Sequence, residues 1–179
     1  MKKTPEIIVI TGAESTGKST LTEQLANHFK VPFIPEIARE YIEKLDRKYN
    51  YNDVEKIAGL QVERMNELKQ LDIPYIFCDT WLIITKVWFE VVFGKAPVWI
   101  EDEIRKTKID LFLLCDTDLP WIADPVRENG GENRLILQNI YKENIEKFTF
   151  SYKVVNGTNN ERFELALKHI SELKQRPLR

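Results

Sequence analysis

Residues 12 to 19 read Gly12-Ala13-Glu14-Ser15-Thr16-Gly17-Lys18-Ser19, which fits G-x-x-x-x-G-K-[ST] at every fixed position. Glycines at the ends of such a loop allow backbone angles and close approaches that a side chain blocks. Successive amide N–H groups then converge on phosphate oxygens at a helix N-terminus, where the helix dipole favours anions. Lys18 adds a point charge for β- and γ-phosphates, and the Ser19 hydroxyl is placed to ligate Mg²⁺. The expected nucleotide contacts are therefore Gly12, Glu14, Ser15, Thr16, Gly17, Lys18, Ser19 and the adjoining Thr20. A chance Gly-rich turn is disfavoured by context, because the apolar run Ile7-Ile8-Val9-Ile10 precedes the loop and an amphipathic stretch follows it.

Acidic groups follow two other short apolar runs. Asp79 ends Tyr75-Ile76-Phe77-Cys78, where a carboxylate can hold Mg²⁺ or take a proton from an acceptor hydroxyl. The plainer reading makes Asp79 or Thr80 an N-cap for the helix that follows. Glu36 follows Val31-Pro32-Phe33-Ile34 and reads either as a substrate ligand or as a first-turn glutamate that complements a helix dipole. Asp116-Thr117-Asp118 reads as capping. Arg127 and Arg134 lie in or beside a Gly- and Pro-containing stretch. Arginines in such a loop can close over a transferring phosphoryl group, and ordinary surface ion pairs are the alternative. Trp81, Trp121, Tyr49 and Tyr51 are candidates for stacking on a base, whereas Trp88 and Trp99 read as core. His28 and His169 have no partner at metal-ligand spacing and read as structural.

The elements that would position these groups alternate. Strands are expected at 7–10, 31–34, 75–78, 111–114 and 152–155, and helices at 20–30, 36–46, 54–70, 81–93, 97–106, 132–148 and 161–173. Tyr49 to Asn52 reads as a loop, with Asp53 capping the helix from Val54. Such alternation implies a parallel sheet covered by helices on both faces, with ligands beyond the carboxyl ends of the strands. Asn156-Gly157 after the last strand thus joins the candidates.

The chain has 179 residues, and Lys plus Arg (26) nearly balances Asp plus Glu (28). That balance argues against a polybasic coat for nucleic acid or anionic lipid. The length, without repeat, linker or low-complexity segment, points to one domain over residues 1–179. No apolar run reaches the roughly 18 residues a membrane helix needs, and the start does not resemble a signal peptide. With Cys78 and Cys115 each ending an apolar run, the expectation is a cytoplasmic protein with two buried thiols.

The phosphate loop with its flanks, Ile10 to Leu21, resembles that of the ribosylnicotinamide kinase domain in NadR-type proteins, within the wider AAA/NadR-like P-loop group. Pro35-Glu36-Ile37-Ala38-Arg39-Glu40-Tyr41 is similar to the family's substrate-side segment. Asp79-Thr80 matches its acidic residue after the third strand, and Trp121-Ile122-Ala123-Asp124-Pro125-Val126-Arg127 resembles its lid, with Pro125 in place of glycine. An aromatic that some members carry before the glutamate is Pro35 here.

The resemblance spans nearly the whole chain. It implies a three-layer α/β P-loop NTPase fold, similar to nucleoside monophosphate kinases, with a lid loop and a five-stranded parallel sheet in the order 2-3-1-4-5. It also implies ATP and Mg²⁺ as cofactors and a small riboside, nicotinamide riboside, as the acceptor. Under it, Lys18 and Ser19 hold ATP and Mg²⁺, and Asp79 acts as base or metal ligand. Glu36 and Arg39 face the riboside, Arg127 serves as a lid arginine, and Asn156-Gly157 borders the adenine. The chain is too short to add the DNA-binding and adenylyltransferase domains of full-length NadR proteins.

Two other readings compete: a kinase of another nucleoside or small metabolite, and a regulatory ATPase or GTPase-like switch. Thr107-Lys108-Ile109-Asp110 matches the guanine motif [NT]-K-x-D, but it precedes a strand, and no D-x-x-G occurs in the chain.

Overall fold

The computed structural model describes residues 4–123 and 129–173. The β-branched run of β1 (Glu6–Thr11) forms the centre of a parallel sheet, flanked by β3 (Tyr75–Asp79) and β4 (Leu111–Cys115). β2 (Phe33–Ile34) and β5 (Tyr152–Val155) form the edges, giving the order β2-β3-β1-β4-β5. This is the strand order the family resemblance implied.

Burial on both faces explains why the central strands read as continuous apolar runs rather than alternating ones. Ile7 and Val9 face one core layer, with Ile76, Cys78 and Phe112. Ile8 and Ile10 face the other, with Tyr75, Phe77, Leu111 and Leu113. The first layer is covered by α3 (Tyr51–Leu68), α4 (Leu82–Phe93), α5 (Val98–Lys106) and α6 (Glu132–Lys147). The second is covered by α1 (Lys18–Phe29) and α7 (Asn160–Leu173). The short α2 (Ile37–Glu43) follows β2 and buries none of its side chains.

Most expected helices appear with small shifts in their ends. One shift corrects a cap. Asn50, not Asp53, caps α3: its side chain accepts from the Asp53 N–H, while the Asp53 carboxylate accepts from the Asn50 N–H in a capping box. Tyr51 and Asn52 are therefore helical. Asp53 also receives Arg47 at 2.6 Å and the Tyr41 hydroxyl at 3.2 Å, which ties α2 and its following loop to α3. The Arg47 hydrogen bond leads the causes that hold the Asp53 carboxyl well below the usual carboxylate range, against the opposing effect of burial.

Candidate active site

The loop between β1 and α1 closes on itself. Thr16 Oγ1 donates to Ala13 O at 2.8 Å, and Lys18 Nζ, reaching back over the loop, donates to the same carbonyl at 2.8 Å. Gly12 has φ +136°, and a Cβ there would stand 2.6 Å from Cys115 O on β4, so only glycine fits. Gly17, at φ +76°, hands the chain to α1. The first turn of α1 thus aims its free N–H groups along the loop, as an anion site requires.

The β1–β3 register pairs Ile10 with Asp79, so the carboxylate emerges beside the phosphate loop. Ser19 Oγ donates to Asp79 Oδ2 at 2.5 Å. Asp79 is 2% exposed, and its Oδ1 has no partner among the described residues. Burial raises its pKa to about 6, opposed by the Lys18 charge and assisted by the charge of Glu36. The capping reading fails for Asp79, because Trp81 occupies the N-cap of α4 without a side-chain cap bond. Thr80 adopts φ +66°, costly for a β-branched residue, with its N–H donated to Ile10 O. Glu36 lies at the N-cap of α2 without capping it through its side chain and pairs with Arg39 at 3.6 Å. Arg39 also reaches Glu43 at 3.3 Å.

Several other expectations find different positions. Trp81 is 1% exposed within the core, because the apolar start of α4 packs down on the sheet, so its ring is not open to a base. Tyr51 packs its ring against Phe89 and Phe93, at 4.7 and 5.4 Å between centroids. Arg134 is 6% exposed and donates to the main-chain oxygens of Glu14, Ser15 and Leu119, at 2.9, 3.0 and 2.8 Å. It braces the phosphate loop from outside rather than standing in solvent. Arg127 lies outside the described residues. Asn156 is exposed just past β5, and the Gly157 N–H donates to Asp118 at 2.7 Å. Asp118 does not cap a helix as expected; it pairs with Arg162.

Residues 7–162 match the family of proteins described as an AAA domain. The chain belongs to that family. Over 172 residues it is 26% identical to the trifunctional NAD biosynthesis/regulator protein NadR of Escherichia coli K12, covering 93% of this chain and 42% of NadR. A crystal structure of a NadR protein in complex with NR superposes with a TM-score of 0.77 at 20% identity, covering 98% of this chain and 52% of the other. Deoxyadenosine kinase from M. mycoides superposes with a TM-score of 0.64 at 15% identity, covering 93% of this chain and 99% of that one. The chain thus spans about half the length of the NadR proteins it matches.

This AAA domain also holds its loop through residues that sequence reading missed. Arg162, 4% exposed, donates to Thr16 O at 2.9 Å, Gly157 O at 3.0 Å and Val155 O at 3.3 Å. It therefore joins the phosphate loop to the β5–α7 turn. Gln138 receives the Ala13 N–H and donates to Cys115 O, both at 2.8 Å. In sequence both look like ordinary polar residues of amphipathic helices, and their partners are remote. The apparent guanine motif lies elsewhere. Asp110 precedes β4, accepts the Ile7 N–H at 2.9 Å and pairs with Lys108 at 2.8 Å, at the strand ends opposite the phosphate loop. Both cysteines are buried with raised thiol pKa values, Cys115 to about 11, as expected of inert core thiols. Among the described residues, no helix is long and apolar enough to cross a membrane.

Proposed function

We propose that this protein is an ATP-dependent kinase of a riboside hydroxyl, with nicotinamide riboside as acceptor and nicotinamide mononucleotide as product. The observation that carries the reading is the convergence of Ser19, Lys18 and the unpartnered Oδ1 of buried Asp79 at the carboxyl ends of β1 and β3. The similarity to NadR, and the NR held by the related NadR structure, support the choice of acceptor. Residues 1–179 act as one kinase-like domain in this reading, working in the cytoplasm.

Ser19 Oγ and Asp79 Oδ1 fit a Mg²⁺ ion, since both are hard oxygen donors and a cation would complete the buried carboxylate. Such an ion, bound with ATP, would neutralise charge on the β- and γ-phosphates. Residues 12–20 hold the triphosphate through main-chain amides, and Lys18 shifts from Ala13 O to a phosphate oxygen. Asp79 Oδ2, the oxygen that Ser19 now occupies, orients the acceptor hydroxyl and receives its proton once Ser19 turns to the ion. Glu36, oriented by Arg39, receives hydrogen bonds from the ribose hydroxyls. Arg127 neutralises the transferring group, and Asn156-Gly157 borders the adenine. Catalysis then comes from alignment, worth roughly 7–11 kcal/mol at best, together with electrostatic stabilisation.

Mass spectrometry of the products from MgATP and nicotinamide riboside tests the reading. The expected outcome is one phosphate added to the riboside for each ADP formed. Phosphorylation of another nucleoside in place of this one would reassign the acceptor. ATP hydrolysis indifferent to every acceptor would favour the regulatory ATPase instead.

A further inference from the structure

Glu14 occupies a variable position of the phosphate loop, where a carboxylate beside an anion site is electrostatically unfavourable unless it is turned away and satisfied. Here it is satisfied from across the molecule. Glu14 Oε2 accepts the Asn129 N–H at 3.1 Å and Trp121 Nε1 at 3.4 Å, and Oε1 accepts Asn129 Nδ2 at 3.2 Å. Its neighbour Ser15 exchanges hydrogen bonds with Ile122: Oγ accepts the Ile122 N–H at 3.1 Å and donates to Ile122 O at 3.3 Å. The two stems of the β4–α6 connection also touch each other, since a Cβ on Gly130 would stand 3.2 Å from the Trp121 ring. One carboxylate thus fastens both stems, residues 121–122 and 129–130, to the phosphate loop.

We propose that Glu14 is a positioning residue. It fixes the stems at residues 121–122 and 129–130 on the loop, so that phosphate engagement and the placement of these two stems are coupled. The main-chain cradle does not depend on Glu14, because Gln138 and Arg134 hold the loop independently. Loss of the carboxylate therefore leaves nucleotide affinity in place and releases the two stems from the loop that aligns the terminal phosphate. The kinetic part of this inference rests on the kinase reading, whereas the coupling itself does not.

The test uses the full chain and four variants, Glu14→Ala, Glu14→Gln, Asn129→Ala and the double Glu14→Ala/Asn129→Ala. Affinity for Mg–AMP-PNP is expected to stay within about threefold throughout, while kcat falls about tenfold or more in Glu14→Ala. Asn129→Ala, which keeps its main-chain contact, should lose about threefold, and the double variant should be no slower than Glu14→Ala alone. Glu14→Gln should stay within about threefold of the parent, because a flipped Asn129 carboxamide can accept from the new amide. Multiplying losses in the double variant, or a Glu14→Gln as slow as Glu14→Ala, overturns the proposal.

A parent without acceptor turnover would sink the kinase reading alone, and Trp121 emission then decides the coupling. Taken as the difference from a Trp121→Phe protein, that emission should shift on adding Mg–AMP-PNP in the parent and in Glu14→Gln. It should not shift in Glu14→Ala. A shift that survives Glu14→Ala, or one absent from the parent, overturns the proposal.

Discussion

On the phosphate side of the cleft, residues 13–16 are bound by Gln138, Arg134 and Arg162, all reaching main-chain groups from α6 and α7. On the acceptor side, α2 buries no side chain, and Arg39 is held by ion pairs to Glu36 and Glu43 whose side chains remain about a third or more exposed. The contrast is physical. Main-chain carbonyls gripped by buried guanidinium groups form a rigid cradle, whereas exposed ion pairs contribute about 0–1 kcal/mol each. A rigid cradle suits a triphosphate common to many enzymes, and a lightly held segment suits the part that must differ between acceptors.

The largest effect should come from the junction of the two sides. Asp79→Asn is expected to lower kcat by about a hundredfold or more while stabilising the fold at pH 7, since it removes a buried charge. The sign follows from linkage: burial raises the folded pKa of Asp79 to about 6. Ionised Asp79 therefore costs stability as pH rises from near 4 through 6, a penalty of roughly 2–3 kcal/mol. Thermal melts at pH 5 and pH 7 check this, and a variant less stable than the parent at pH 7 would contradict it. Removing the rigid cradle's brace comes next. Arg162→Ala removes the bonds to the Thr16, Gly157 and Val155 carbonyls and the ion pair with Asp118, so a loss of about 3 kcal/mol in stability and a raised KM for ATP are expected. Chemical denaturation measures the first and steady-state kinetics the second.

The two sides also differ in how readily they could be read from sequence. The phosphate loop is a contiguous motif, and its function follows from eight adjacent residues. Glu36 and Asp79 were legible because they follow apolar runs that had to be strands. Arg162 was not legible, since its partner Thr16 is 146 residues away and nothing local marks the pairing. Arg134 read as a lid residue because its Gly-rich surroundings resemble a surface loop; its burial comes from carbonyls on Glu14, Ser15 and Leu119. Trp81 looked available at a strand end, yet the apolar face of α4 that begins there draws it into the core. The strand order rested on family resemblance, since alternation alone permits several orders.

Smaller effects should sharpen the comparison. The pH dependence of kcat/KM is expected to rise with pH to a midpoint near 6, as Asp79 in the free enzyme loses its proton. A flat profile between pH 5 and 8 would separate Asp79 from the proton transfer. On the acceptor side, Glu36→Gln should raise KM for the riboside about tenfold, with ATP affinity unchanged and stability altered by less than about 1 kcal/mol. A matching loss of ATP affinity would show that the two sides are not separable in the way their packing suggests.

In the proposed reaction, the loop from Gly12 to Ser19 presents a terminal phosphate to an alcohol held between Glu36 and Asp79. The direct measurement is ADP release at saturating MgATP, with and without nicotinamide riboside, in the parent and in Lys18→Ala. The riboside is expected to raise the rate by at least about a hundredfold, with that increment lost in Lys18→Ala. Equal rates with and without the riboside and any other nucleoside, or an increment untouched by Lys18→Ala, would contradict it.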